Sequence, residues 1–347
     1  LVHESGPAGY PYEVVSGSWS RENLDIESAD GNKGRVAVEA WIREGVAREL
    51  FNGCGLDFDA AKKAALARDF KPLAMQAASV DVSMTIEHRS VASHNVCALL
   101  PGGAKRDELV VYTAHWDHLG RDAAREGDQI FNGALDNASG CAGLLEVAQA
   151  FRSVGRGALD RSVLFLAVTA EEKGLLGSKY YAEHPLYPLA KTLACINMDG
   201  LAVWGRTRDI ESSGLGNSDL HALLVTAATT QQRVVKGDEE PEKGGYFRSD
   251  HFEFAKRGVP GLNASAGKDY VDRPAGWGQA MSDSYTAHDY HKPSDEIRAE
   301  WDLSGAVEDV RAFFAVGFEL LRASTPWPAW SDGSEFKAVR EASLRAK

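Results

Sequence analysis

The chain has 347 residues, of which 44% are hydrophobic and 25% are charged, so it is long enough for one large domain or two smaller ones. Lys and Arg number 38 and Asp and Glu number 50; the formal net charge of −12 argues against non-specific nucleic-acid binding, which depends on neutralising phosphates. No apolar run is long enough to span a bilayer, and the 4 cysteines form no CxxC pair, which argues against a cysteine-ligated zinc site.

The front of the chain predicts irregular structure followed by helices. Residues 1–30 are rich in Gly, Pro and Ser, and the abrupt start LVHESGPAGYPYEVV suggests a processed or partial chain. Residues 34–70 predict two helices: GRVAVEAWIREGVARELFNG ends at a glycine, and DFDAAKKAALARDF follows with Asp57 or Asp59 as its N-cap. The next segment, SVDVSMTIEHRSV, alternates apolar and polar residues, which predicts an exposed strand.

From about residue 94 the pattern changes to short apolar runs separated by helical segments. The predicted strands are HNVCALLPG, ELVVYTAHW, SVLFLAVTA, TLACINMDG and GVPGLNAS, and the predicted helices cover 139–154, 174–184, 217–231 and 304–323. Near-continuous apolar strands that alternate with helices indicate an α/β three-layer sandwich, with a mixed, mainly parallel central sheet flanked by helices. In such sheets, ligands bind beyond the carboxyl ends of the strands.

Polar residues follow these strands at that edge. They are His115, Asp117 and His118; Asp136 and Asn137; Glu171 and Glu172; Asp199; and His288, Asp289, Tyr290 and His291. Zinc binds His nitrogen and carboxylate oxygen, and a carboxylate that bridges two ions suits their separation of roughly 3.5–4 Å. A metal-bound water loses its proton near neutral pH, and a neighbouring carboxylate can carry that proton to a leaving amine.

Each of these residues also has an ordinary interpretation. Asp136 could cap the helix that begins near Ser139, the Glu171–Glu172 pair could be a solvated charge pair, and His288 is expected to have no role. Such interpretations leave unexplained why every one of these groups follows a strand of the same sheet. The chain contains no GxSxG, HExxH or Walker pattern, which argues against serine hydrolase, HExxH metalloprotease and phosphate-loop chemistry.

Five motifs in a fixed order then point to a known family. TAHWDHLG, GALDNASG, AVTAEEKGLLGS, INMDG and YHKPSDE resemble the co-catalytic di-zinc aminopeptidases of metallopeptidase clan MH, relatives of bacterial leucyl aminopeptidase, glutamate carboxypeptidase II and the mono-zinc glutaminyl cyclase. The resemblance covers residues 90–325 and implies the zinc exopeptidase fold, two Zn²⁺ ions and a peptide substrate.

The matching positions imply a role for each residue. His115 and Asp199 resemble the ligands of the first zinc, Glu172 and His291 resemble those of the second, and Asp136 resembles the ligand that bridges both. Glu171 resembles the general base, and Tyr290 resembles the donor to the oxyanion. Asp117 resembles the carboxylate that orients His115. His118 falls outside the family pattern and is given no role. Asp250, in RSDHFEFAKRGVPG, matches a segment at the pocket wall.

The resemblance also suggests a division of the chain. Residues 1–30 resemble the tail of a protease-associated domain, 31–90 form a helical and strand connector, 91–325 form the catalytic domain and 326–347 a C-terminal extension. Relatives of this layout suggest an exported bacterial enzyme, periplasmic or extracellular.

The predicted activity is that of an aminopeptidase, in which a metal-bridging hydroxide attacks the peptide carbonyl with Glu171 as general base. The alternative is a carboxypeptidase of the glutamate carboxypeptidase II type, whose cationic clamp would use Arg206, Arg208, Arg248 or Arg273. A non-catalytic binding ectodomain of the same fold is also open, and glutaminyl cyclase fits less well because the motifs for two metals are intact. Side-chain preference, oligomeric state and the choice among zinc, cobalt and manganese are not predicted.

Overall fold

A computed structural model describes residues 1–19, 22–28, 30–31 and 33–345 of the protein. Positions 20, 21, 29 and 32, within the predicted front segments, and 346–347, within the predicted C-terminal extension, lie outside the described residues. Contacts divide the chain into two compact units, Leu1–Ala92 and Ser93–Lys347, which are described separately.

The first unit contains short elements. They are β1 (Val2–His3), α1 (Ser5–Ala8), α2 (Tyr12–Trp19), β2 (Ile42–Arg43), α3 (Glu44–Gly53) and α4 (Phe58–Ala64), with β1 and β2 paired in parallel. The Asp57 side chain accepts a hydrogen bond from the Ala60 N–H at 2.7 Å, so the predicted N-cap of the second helix is confirmed.

Three predictions for this unit are wrong in part or in full. Residues 1–30 are not wholly irregular, because a helix follows Pro11 and buries Val15. The first predicted helix begins only at Glu44, so 34–43 are outside it. The segment SVDVSMTIEHRSV is described without strand pairing, and its apolar side chains are exposed; alternation specifies a face, but a strand also needs a hydrogen-bonding partner.

The second unit is built on a mixed sheet. Its strands in chain order are β3 (Val96–Leu100), β4 (Lys105–His115), β7 (Arg161–Val168), β8 (Thr192–Asn197), β9 (Asp209–Ser213), β10 (Val234–Gly237) and β11 (Gly261–Ala266), and a separate pair is formed by β5 (Gly120–Arg121) and β6 (Ile130–Phe131). In the described part of the chain the sheet order is β10-β9-β11-β8-β4-β7-β3. Four neighbouring pairs are parallel and two, β11–β9 and β3–β7, are antiparallel.

Helices flank this sheet on both faces, which confirms the predicted fold class. They are α5 (Ser139–Val154), α6 (Leu176–Glu183), α7 (Leu220–Thr230), α8 (His251–Lys256), α9 (Trp277–His288), α10 (Ser304–Leu320) and α11 (Lys337–Arg345). One apolar cluster contains Tyr112, Phe151 and Phe313, and a second contains Val111, Leu164 and Phe254. Consecutive strand residues such as Val111 and Tyr112 therefore bury against opposite layers, as a sheet covered on both faces requires.

The register of the three central strands fixes where the polar residues meet. β8, β4 and β7 are adjacent and parallel, with Thr113 opposite Asn197 and His115 opposite Val168. Their carboxyl ends therefore lie side by side, and the segments that leave them share one edge. Helix α9 was not predicted, and it corrects one expectation: His288, Asp289, Tyr290 and His291 lie at or after the end of this helix and do not directly follow a strand.

Candidate metal centre

His115, at the end of β4, faces two carboxylates. Its Nε2 lies 3.1 Å from Asp136 Oδ1 and 3.3 Å from Asp199 Oδ1, and its side chain is 1% exposed. Burial lowers the pKa of His115, but the facing carboxylates of Asp136 and Asp199 outweigh it and raise the pKa above the ordinary value. The three side chains form one candidate metal-binding group.

The second oxygen of Asp136 belongs to another group. Asp136 Oδ2 lies 3.2 Å from His291 Nε2, which in turn lies 3.1 Å from Glu172 Oε2. Burial raises the pKa of Asp136, but His115 and His291 together lower it below the usual value. A single carboxylate therefore faces a histidine with each of its oxygens.

The distances between the facing nitrogen and oxygen atoms match ligands of a shared zinc ion better than they match hydrogen bonds. Two ligand atoms that are each about 2.0–2.1 Å from a tetrahedral zinc are about 3.3 Å apart, which matches the separations of 3.1–3.3 Å in both groups. Moreover, the buried Nε2 of His115 makes no hydrogen bond of acceptable geometry with any described residue, although two carboxylate oxygens are close. The donor set of histidine nitrogen and carboxylate oxygen fits zinc ions in both groups.

Asp117 holds the turn that carries two glutamates. Its carboxylate accepts hydrogen bonds from the N–H groups of Glu171, at 3.0 Å, and Glu172, at 3.3 Å. This turn begins at Ala170, whose φ of 55° lies in the left-handed region that non-glycine residues seldom adopt. The His115 Nδ1 contacts the backbone oxygen of Asp117 at 3.1 Å and its carboxylate only at 3.8 Å. The backbone of Asp117 thus orients the imidazole, and its side chain orients the glutamates.

Glu171 lies beside the candidate metal ligands in a buried, acidic setting. Its Oε2 is 4.0 Å from His115 Nε2. Burial, and then the charges of Asp199 and Asp250, raise the pKa of Glu171 well above its ordinary value. Asp250 is fully buried and accepts a hydrogen bond from Ser178 Oγ at 2.6 Å. A carboxyl with a raised pKa takes up a proton more readily than an ordinary glutamate does.

A cleft of about 310 Å³ opens onto these groups. It is lined by Leu135, Asp136, Glu171, Asp199, Gly200, Leu201, Ala202, Trp204, Glu211, Arg248, Ser265, Ala266, Gly267, Lys268, Tyr270, Gly278, Ser282, Tyr285 and Tyr290. The Tyr290 ring stacks on the His291 imidazole with centroids 3.8 Å apart, and so faces the centre as well as the cleft. His288 is exposed and bonds to Ser284, away from the cluster.

A family model for peptidase family M28 matches residues 95–315, which include every residue of this cluster. The chain belongs to peptidase family M28. Predicted from motif order, this membership is confirmed, and the matched segment lies within the second unit of the fold.

Curated relatives of this M28 chain include aminopeptidases from bacteria and fungi. Aminopeptidase YwaD of Bacillus subtilis is 26% identical over 199 residues, 57% of this chain and 38% of the relative. Leucine aminopeptidase 2 of Trichophyton equinum is 29% identical over 260 residues, 70% of this chain and 49% of the relative. The chain spans about half, or less, of the length of these relatives. Among solved structures, a zinc aminopeptidase from Bacillus subtilis is similar, with a TM-score of 0.49 and 21% identity over 70% of this chain and 52% of that chain.

The structure brings His118 into the M28 site, although no role was predicted for it. Its Nδ1 lies 2.7 Å from Glu172 Oε1, the oxygen of Glu172 that His291 does not face. His118, Asp136 and Glu172 form a further candidate metal-binding group. Burial raises the pKa of Glu172, but His118 and His291 lower it overall. The signal in the sequence is the position of His118 directly after Asp117 in TAHWDHLG.

Asp295, also without a predicted role, joins two parts of the site. It follows His291 by four residues in the motif YHKPSDE and is 2% exposed. Its carboxylate accepts hydrogen bonds from the N–H groups of Leu135, at 3.0 Å, and Asp136, at 3.1 Å, and from the Tyr285 hydroxyl at 3.2 Å. The segment that carries one ligand therefore fixes the backbone of the shared ligand.

Hydrogen bonds also hold Asp199 and the start of α5. Ser249 Oγ donates to Asp199 Oδ2 at 2.5 Å and accepts from the Asn197 amide at 2.6 Å. Asn137 Oδ1 accepts from the N–H groups of Gly140 and Gly200, so Asn137, not Asp136, serves the first turn of the helix. The alternative interpretation of Asp136 as a cap is not supported, since it is the Asn137 side chain that accepts the hydrogen bond from the first turn of α5.

Proposed function

We propose that the chain is a zinc-dependent aminopeptidase, which removes N-terminal residues from peptides. The observation that carries the proposal is the Asp136 carboxylate, whose two oxygens face His115 and His291 at 3.1 and 3.2 Å. This geometry supports two ions sharing one carboxylate. The activity named for the curated relatives, that of an aminopeptidase, supports the reaction.

In this proposal His115, Asp136 and Asp199 would hold one zinc, and Asp136, Glu172 and His291 would hold the other, with His118 orienting Glu172. Bound zinc supplies Lewis acidity, which polarises the peptide carbonyl and makes water acidic near neutral pH. Asp117 keeps Glu171 and Glu172 in place through their backbone N–H groups, at 3.0 and 3.3 Å. Asp295 does the same for the loop of Asp136.

Glu171 is the general base and then the general acid. Its raised pKa lets its carboxylate accept the proton of the attacking water and return it to the leaving amine. Tyr290 lines the cleft beside His291, where its hydroxyl would donate to the oxyanion that forms on the peptide carbonyl. Burial, followed by the charges of Asp136 and Glu172, raises the pKa of Tyr290 well above its ordinary value, so the hydroxyl keeps its proton.

The carboxypeptidase alternative finds less support in the arginines. Arg206 pairs with Glu308, Arg208 pairs with Asp269, and Arg273 lies over the Trp277 ring. Of the four candidates, all of them described, only Arg248 lines the cleft. One guanidinium beside the acidic centre makes a weak clamp for a substrate carboxylate.

The whole protein is proposed to be an exported bacterial enzyme whose residues 1–30 are the tail of a protease-associated domain. Among the described residues no helix has the length and apolar character needed to cross a membrane.

The test is a peptide digest. The purified chain, supplied with zinc, is incubated with a short peptide whose termini are both free, and the products are weighed by mass spectrometry. A ladder that shortens from the amino end supports the proposal, and an N-acetylated copy of the peptide, the matched control, should stay intact. Shortening from the carboxyl end would establish the carboxypeptidase alternative, and an intact free peptide would support a non-catalytic member.

A further inference from the structure

The cleft also carries a partly buried carboxylate. Glu211, on β9, lines the cleft with its side chain 27% exposed. Among the described residues its carboxylate meets only Lys268, whose Nζ lies 3.7 Å from Oε2, beyond hydrogen-bonding distance. A carboxylate that is largely removed from water and lacks a close partner gains strongly from a second cation.

The sheet register gives the distance between Glu211 and the metal ligands. Asn263 of β11 pairs with Asn197 of β8, and Ser265 pairs with Glu211 of β9 on the other side. Asp199 and Ser265 each lie two residues beyond the first pair, so Asp199 and Glu211 flank β11 at a similar level. Two strand spacings place their Cα atoms about 10 Å apart.

The charges around Glu211 also favour a cation. Burial raises the pKa of Glu211, Lys268 lowers it, and Asp238, Glu239 and Asp209 raise it further, with a net upward shift. Lys268 is the one favourable charge among these neighbours, and three carboxylates oppose it. Lys268 has a second acidic contact, with Glu239 at 4.0 Å. Lys268 therefore keeps a carboxylate partner when a substrate cation pairs with Glu211.

We propose that Glu211 selects substrates whose N-terminal residue has a long cationic side chain, lysine or arginine. The inference rests on the proposed aminopeptidase function and names the class of substrate for that site. The α-amino group is one carbon from the carbonyl that reacts at the metal ligands, so it stays near Asp199. The cationic end of a lysine or arginine side chain extends toward Glu211, past the apolar and aromatic lining that includes Leu201 and Trp204.

The test compares two substrates of the same shape. Lysine and norleucine 4-nitroanilides differ at the end of the side chain by the ammonium group, and kcat/KM is measured for both with the zinc-loaded chain. We expect lysine to be preferred by about tenfold or more, as a charge-assisted hydrogen bond in a partly desolvated site supplies.

In Glu211→Gln the lysine-to-norleucine ratio should fall at least fivefold, and in Lys268→Gln it should rise. L-Lysinamide should likewise inhibit wild type more strongly than norleucinamide, and lose that advantage in Glu211→Gln.

The control is Glu146→Gln, the same change on the exposed side of α5, which should leave the ratio unaltered. Equal turnover of both substrates by wild type would overturn the inference but leave the aminopeptidase proposal standing. If the chain releases nitroaniline from none of the lysine, norleucine, leucine and glutamate substrates, the aminopeptidase proposal itself is overturned. A uniform loss on both substrates in Glu211→Gln, or a preference for glutamate, would also rule out a cation-selecting Glu211.

Discussion

At the residue scale, the proposed role of Glu171 as general base can be tested directly. Its carboxylate is proposed to carry a proton but not to bind metal. Glu171→Gln keeps the shape and removes the basicity, so we expect kcat to fall by about 10²–10⁴-fold with the zinc content unchanged. Steady-state kinetics and metal analysis of the same preparation check this. Near wild-type kcat would show that another group is the base.

Asp295 offers a second prediction at this scale. Asp295→Asn weakens the hydrogen bonds to the N–H groups of Leu135 and Asp136 and leaves one amide N–H facing a backbone donor. We expect the affinity for zinc to fall by about 10–100-fold, as for other partners of metal ligands. Chelator competition measures this directly. Tyr285→Phe, which removes the third donor alone, is the matched control and should have a smaller effect; equal zinc affinity in Asp295→Asn and wild type would contradict the prediction.

Motifs predicted which residues gather, but not how they are supported. His115, Asp136, Glu171, Glu172, Asp199 and His291 lie together in the structure as motif order implied, although their roles stay predictions. The support by Asp295 was missed because hydrogen bonds to backbone N–H groups leave no spacing rule in the sequence. The support by His118, which contacts the Glu172 side chain, was missed because His118 falls outside the family pattern. Asp117 contacts His115 through its backbone oxygen and the glutamate turn through its carboxylate. This double contact depends on the folded structure, so the sequence pattern could not predict it.

At the element scale, α5 depends on a glycine that allows close approach. A Cβ on Gly140 would lie 2.2 Å from Asn137 Oδ1 and 2.4 Å from the Met198 oxygen, so neither neighbour could stay in place. Gly140→Ala should therefore destabilise the fold by about 1–3 kcal/mol, the usual range for overpacking, and lower zinc affinity by shifting the Asp136 loop. Urea unfolding and chelator competition measure the two effects. Gly157→Ala, where a Cβ meets nothing within 4 Å, is the control, and equal stability of the two variants would contradict the account.

Long elements with an apolar face were predictable, and short or mostly polar ones were not. The helix predicted over 139–154 matches α5 residue for residue, because its apolar face repeats over four turns. Strands β9 and β10 were missed, since Asp209–Ser213 is mostly polar and Val234–Gly237 is only four residues long. Helix α9 was missed for a related reason: of its residues only Gly278 is buried, so it has no apolar stripe to detect.

At the scale of the whole molecule, two buried histidines make stability depend on pH. Burial lowers the pKa of His251 to about 3, and burial also lowers the pKa of His221. Both are neutral in the folded state, whereas in the unfolded state they protonate near 6.5. The unfolded state therefore binds more protons below that pH, and stability falls as pH falls from about 6.5 toward 3.

The size of this effect can be measured with one substitution. At pH 5 the shift of His251 corresponds to roughly 2 kcal/mol lost relative to pH 7.5. His251→Asn should lose that much less stability over the same interval, as read by urea unfolding at both pH values. His288→Asn, at an exposed histidine, should behave like wild type. An identical pH dependence in His251→Asn and wild type would show that this ring does not carry the effect.

The fold class could be predicted for the whole molecule because strand and helix patterns alternate over most of residues 94–323. The front could not, because its unit is small and its patterns are weak: short helices replaced the predicted irregular segment, and an alternating run did not become a strand. The assignment of residues 1–30 to a protease-associated domain, and of 326–347 to an extension, stays a prediction.

The spread of the candidate ligands along the chain bears on how the proposed site is assembled. His115, Asp136 and Asp199 leave the ribosome before His291, which must also wait for Asp295 to secure the shared loop. A nascent chain can thus bring the first group together early, but the second group is complete only after the His291 segment has emerged. In the proposed two-ion enzyme the second ion would therefore bind last, and the peptidase would stay inactive until that segment has folded onto the Asp136 loop.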